Sequence, residues 1–83
     1  MELYQFRELH QDDQAQITWE YGEHVATRIT LLHMVSLWQI EGFYVEIFYN
    51  QADQKIEKIR SFRSTILLTP YLKQIDISSV FHE

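Results

Sequence analysis

Two apolar runs, 34–40 and 43–49, lie on either side of the dipeptide Glu41-Gly42. Gly42 can supply the positive φ that a two-residue hairpin turn requires, so the pattern predicts two antiparallel strands joined there. If Ile40 pairs with Phe43, then Trp38 faces Val45 and Ser36 faces Ile47. One sheet face then carries Met34, Trp38, Ile40, Phe43, Val45, Ile47 and Tyr49, and is expected to meet the helices. The other face carries Val35, Leu37, Tyr44, Glu46 and Phe48, and is too apolar for an ordinary solvent face.

The first quarter of the chain reads as helical. Leu3, Phe6 and Leu9 recur at helical spacing in a short first helix. A second helix is predicted from Gln11 to Tyr21, with Asp12 and Asp13 in the first turn, where the helix dipole favours negative charge. Ala15, Thr18, Trp19 and Gly22 share one stripe, which makes Trp19 the expected anchor on the core and Gly22 the C-terminal cap. From Glu23 to Ile40 neither Gly nor Pro occurs, and the stretch is too long for one strand. Two strands are expected, Glu23–Arg28 and His33–Ile40, with a joint at Ile29–Leu32 that pairs Arg28 with His33. The joint is apolar where turns are normally polar, and an extended hairpin arm fits the same residues. After the polar loop Asn50–Gln54, a fourth strand is predicted over Lys55–Arg63. Thr69-Pro70 then begins a helix, with Thr69 as N-cap, Pro70 at the first helical position, and Tyr71, Leu72 and Ile75 on its inner stripe. Ile77, Val80 and Phe81 can add one further packed turn, capped by Asp76 or Ser78. The fold class is α+β: N-terminal helices, a four-stranded antiparallel β-meander and a C-terminal helix.

The 83 residues suffice for a single domain, 1–83, which buries only about 60% of its unfolded surface. Aromatic residues make up 14% of the chain, more than so small an interior readily encloses. With no cysteine, disulfides and thiolate metal clusters are excluded, in keeping with a reducing cytoplasm. The N-terminal MELYQFREL lacks the pattern of a signal peptide, and no run has the ~18 apolar residues of a membrane span. Cytoplasmic localisation, without a membrane partner, is the expectation. The net charge is −5, with acids crowded in the first quarter and Lys55, Lys58, Arg60 and Arg63 in one short segment. That balance argues against a nucleic-acid partner, because phosphate affinity comes from clustered Lys and Arg.

Chemistry is sparse. The run Gly42-Phe43-Tyr44-Val45-Glu46-Ile47-Phe48 has an RNA-recognition flavour, but Glu41 replaces a basic residue before the glycine and Val45 replaces the second aromatic. Arg60, Arg63, Ser64 and Thr65 form the candidate anion site, two guanidinium forks and two hydroxyls near the start of the last helix. The structural alternative is that Arg60 stacks on Tyr44 or Phe48 while Arg63 pairs with Glu46, Glu57 or the C-terminal carboxylate. His10, His24, His33 and His82 have no second metal ligand at i+3 or i+4 on a confident helix, so no metal and no cofactor are expected. No phosphate loop, dinucleotide fingerprint or nucleophile elbow is present, and no enzymatic activity is expected. The leftover apolar surface suggests a homodimer or another protein partner, with Ile29, Leu31, Val35, Leu37, Tyr44 and Phe48 as candidate interface residues.

The segments Gln14…Trp19…Gly22, Leu37-Trp38-Gln39-Ile40, Gly42-Phe43-Tyr44-Val45-Glu46, Ile59 to Thr65 and Pro70-Tyr71-Leu72…Ile75-Asp76-Ile77 resemble a family of small bacterial proteins with no assigned activity. The resemblance covers nearly the whole chain and is most specific at Phe-Tyr-Val-Glu and Arg-Ser-Phe…Ser-Thr. It implies a bacterial, cytoplasmic, single-domain protein and carries over no catalytic residue. It also implies a polar turn where this chain has Ile29–Leu32.

Overall fold

The computed structural model describes residues 1–72. Helix α1 spans Leu3–Arg7 and α2 spans Gln11–Tyr21; they precede strands β1 (Glu23–Ile29), β2 (His33–Ile40), β3 (Phe43–Asn50) and β4 (Ile56–Phe62). A 3-10 turn at Thr65–Leu68 follows, and residues 69–72 are helical. The strands form one antiparallel meander in the order β1-β2-β3-β4. Every element type expected from the hydrophobic pattern is present, and the fold is α+β.

Gly42 turns the β2–β3 hairpin at φ 93°, and the register is the expected one: Ile40 with Phe43, Trp38 with Val45, Ser36 with Ile47. Ile40, Phe43, Val45 and Ile47 therefore share a face, on which Leu3 and Phe6 of α1 close the main core. Phe6 is fully buried and its ring meets Phe43 at 5.3 Å between centroids.

Trp19 is not the anchor of α2. Ala15 and Thr18 are buried, Ile17 flanks them, and Trp19 is 47% exposed. The small side chains of Ala15 and Thr18 let the helix backbone lie close to the sheet, and this rotates Trp19 onto the outer shoulder. Gly22 does end α2, its N–H donating to Thr18 O at 2.8 Å. The requirement for glycine is one of space: a Cβ there would stand 2.6 Å from that carbonyl oxygen.

The β1–β2 joint is tighter than expected. Arg28 pairs with Val35 and Ile29 with Met34, so Leu31 and Leu32 alone span the turn and His33 does not face Arg28. Polar groups on either side hold it. Thr30 N–H donates to His33 O at 2.8 Å, and Thr30 Oγ1 accepts from His33 N–H at 3.0 Å. Gln51, from the β3–β4 loop, donates its backbone N–H to Leu32 O and its side-chain amide to Thr30 O.

The sheet face expected to stay open is covered at its centre. Val35 and Leu37 are 0% and 1% exposed, and Leu37 packs with Phe62 and Tyr71, flanked by Ala26, Tyr44, Leu67 and Leu68. The chain leaves β4 at Arg63 and folds back over this face as a strap. Thr69 is already helical rather than the N-cap, because the 3-10 turn capped by Ser64 precedes it (Ser64 Oγ accepts from Ile66 N–H at 3.4 Å). Of the expected inner stripe, Tyr71 is buried and Leu72 is 55% exposed; Ile75, Asp76, Ile77, Ser78, Val80, Phe81 and His82 lie outside the described residues. Among the described residues no helix is long and apolar enough to cross a membrane.

Because Leu37 is enclosed on both sides, Leu37→Asp is expected to remove the cooperative thermal transition seen by circular dichroism, a loss of more than about 4 kcal/mol. A variant that melts like the wild type would show that the strap lifts from this face at little cost.

Candidate functional site

Glu46, in the middle of β3, is completely buried. The pleat aims it at the strap face, where one donor arrives from each of three other elements. From β4, Arg60 brings Nε to 2.8 Å and Nη2 to 2.6 Å of Oε1. From β1, Arg28 Nη2 stands 3.4 Å from Oε2. From the strap, Tyr71 donates its hydroxyl to Oε2 at 2.6 Å. Both guanidinium groups also lie over aromatic faces: Arg60 over Phe62 at 5.3 Å, Arg28 over Tyr71 at 5.4 Å and Phe48 at 5.9 Å. Burial and the adjacent carboxylate push the Tyr71 phenol far above its usual range.

This arrangement divides the candidate anion site. Arg60 is committed to Glu46 on the strap face. Arg63 is exposed and lines a separate cleft together with Met1, Glu2, Leu3, Glu41, Gly42 and Phe43. Ser64 caps the 3-10 turn and Thr65 begins it. Arg60, Arg63, Ser64 and Thr65 do not converge on one point. Arg60 stacks on Phe62, its own strand neighbour, rather than on Tyr44 or Phe48; Tyr44 in turn stacks on Phe62 at 5.8 Å.

The candidate interface residues divide as well. Val35, Leu37 and Phe48 are buried and Tyr44 is half-buried, so these four lie beneath or beside the strap. Ile29 and Leu31 are 65% and 93% exposed, and Leu32 and Met34 beside them are exposed too. Here the sheet runs on past the helices that cover it. Ile29, Met34 and Tyr49 floor a cleft of about 450 Å³, rimmed by Asn50, Gln51 and Gln54. The Leu31-Leu32 turn stands next to it on a backbone fixed by Thr30, His33 and Gln51. An apolar protrusion with a rigid base beside an apolar hollow suits contact with another protein surface.

A second polar cluster buttresses this end. The β3–β4 register shifts between Phe48 and Tyr49, leaving Glu57 as the extra residue of a bulge. Its carboxylate accepts from Asn50 Nδ2 at 2.9 Å and contacts His33 Nε2 at 2.5 Å. The Asn50 hydrogen bond first, and His33 second, hold the Glu57 carboxyl below its usual value. His24 bonds Thr27 Oγ1 and meets Trp38 edge-on. Among the described residues no three His, Asp or Glu side chains are placed to hold a metal ion.

The Glu46 cluster was not singled out from the sequence; the joint at Ile29–Leu32 was, for its apolar residues, but not the contacts that fix its backbone. The available signal for the first was a lone carboxylate in an apolar strand, with arginines on strands to either side. Comparison of the chain with protein-family models, with curated proteins and with solved structures returns no match.

Two consequences can be measured. Tyr71→Phe deletes one of the bonds to buried Glu46 and is expected to cost about 1–3 kcal/mol in urea unfolding. The native state raises the Tyr71 pKa, so the wild type should lose stability as pH climbs above the unfolded value near 10, and the Phe variant should lack that component. Glu57 behaves in the opposite sense. Its depressed native pKa contributes stability above the unfolded carboxyl pKa, and that contribution disappears as pH falls through the native pKa. Glu57→Gln should flatten the acid limb of stability; an unchanged limb would assign it to other carboxylates.

Proposed function

We propose that this protein is a cytoplasmic, non-catalytic interaction module that self-associates through the apolar end of its β1–β2 hairpin. The observation that carries this reading is Leu31, 93% exposed at the centre of a turn whose backbone is tied down from both sides. A leucine on a rigid turn loses little conformational freedom on binding, which is what gives a small apolar contact its affinity. The cleft floored by Ile29, Met34 and Tyr49 offers a second apolar element beside it. Closed two-fold dimers are the commonest assembly available to a single small domain.

Light scattering behind size-exclusion chromatography should show a concentration-dependent dimer. The double variant Leu31→Asp/Leu32→Asp should weaken it by at least about 30-fold, the size of one interface hot spot. Its secondary structure should be unaltered, since both side chains are exposed. A wild-type chain that stays monomeric up to about 1 mM, an affinity of only some 4 kcal/mol, would overturn the proposal.

A further inference from the structure

The two edges of the sheet are treated differently. Asn50 N–H bonds to Lys55 O, so the antiparallel alternation turns the main-chain groups of Ile56, Ile59 and Ser61 away from β3. Two of those outward carbonyls are occupied: Arg7 Nη2 donates to Ser61 O at 2.7 Å and Gln11 Nε2 donates to Ile56 O at 3.4 Å. The β4 edge also carries Lys58 and a bulge at Glu57, which oppose pairing with another strand.

Among the described residues the β1 edge has no such cover. Thr30 N–H bonds to His33 O, so the same alternation turns the main-chain groups of Thr27 and Ile29 outward. Among the described residues no other element bonds to them. The strand contains neither Lys nor Pro, its single arginine is drawn onto the strap face by Glu46, and its own bulge, at Val25, lies before Thr27. The exposed large apolar side chains collect around it as well: Trp19 and Tyr21 before the strand, Val25 and Ile29 within it, Leu31 and Leu32 after it.

Resting on the self-association reading, we infer that the second copy binds by adding its own β1 antiparallel to this one, with the two-fold axis at Thr27, to make a continuous eight-stranded sheet. This axis makes the surface self-complementary. Thr27 meets Thr27, Ile29 reaches the bulge at Val25 of the second copy, and Leu31 lies alongside its Tyr21–Glu23 stretch. The apolar groups before the strand therefore cover those after it. No like charges meet, because Arg28 stands opposite Ala26; an axis at Arg28 would oppose two guanidinium groups directly. The strand pair and its flanking side chains bury on the order of 600 Å² per protomer, the low end for a specific and reversible contact.

The chain has no cysteine, so Thr27→Cys provides one reporter without background. In a hydrogen-bonded antiparallel pair the two Cα atoms lie about 5.5 Å apart, within disulfide range. Mild oxidation should cross-link this variant at least tenfold faster than Tyr4→Cys, a control on exposed α1. Thr27→Pro removes an outward N–H and should abolish the dimer in light scattering while keeping the circular dichroism of the fold. If Thr27→Pro fails to fold, the cross-linking rate alone decides. A wild-type dimer with Thr27→Cys no faster than the control overturns the edge pairing and leaves self-association standing. A wild-type monomer at every concentration overturns both.

Discussion

A fully buried carboxylate cannot be left alone in a protein of this size. Glu46 sits in the central strand pair with zero exposure, and its charge is met by Arg28, Arg60 and the Tyr71 hydroxyl. Each partner belongs to a different element, so the cluster links β1, β3, β4 and the strap through one side chain. Its main consequence is register. Slipping β1 or β4 by one residue would carry Arg28 or Arg60 to the other sheet face and strand Glu46 without a counter-ion. Breaking a buried pair costs about 3–5 kcal/mol, whereas replacing a whole pair by apolar groups is often neutral. The cluster thus acts against wrong pairings more than it adds net stability.

Around that point the molecule is built as two covers on one sheet. The helices lie on one face over Ile40, Phe43, Val45 and Ile47; the strap lies on the other over Leu37 and Glu46. Among the described residues neither reaches the β1–β2 turn. A strand of eight residues spans about 27 Å, longer than the short helices packed across it, so the far end of the hairpin stays bare on its helix side. Ile29, Met34 and the two leucines are therefore exposed because the covering layers stop short of them. The polar contacts of Thr30, His33, Gln51 and Glu57 then fix this bare end in place without burying it.

The parts legible in the sequence were those fixed by local rules. Gly42 set the β2–β3 turn, and strand alternation then gave the whole pairing from Ile40–Phe43 outward. Alternation also placed Arg60 and Arg63 on opposite faces, which is why they do not share a site. The parts that were missed depend on distant residues. The Leu31-Leu32 turn is held by Gln51, which belongs to another loop, and no local turn signal announces it. Glu46 was placed on the correct face, but its burial depends on Tyr71, 25 positions away, returning over the sheet. Trp19 was assigned inward on a stripe it does share in sequence; the close approach allowed by Ala15 and Thr18 turned it out.

The unequal edges bear on what kind of assembly this sheet can form. A sheet with two open edges adds strands at both ends and grows into a fibre. Here the β4 edge is obstructed at both ends by Arg7 on the Ser61 carbonyl and Gln11 on the Ile56 carbonyl, and α1 and α2 are the elements that bring them there. Once two β1 edges have paired, both remaining edges are β4, and each is obstructed by Arg7, Gln11, Lys58 and the bulge. Association would then stop at two copies. The N-terminal helices would accordingly have two roles: covering one face of the sheet, and making its one open edge safe to leave exposed.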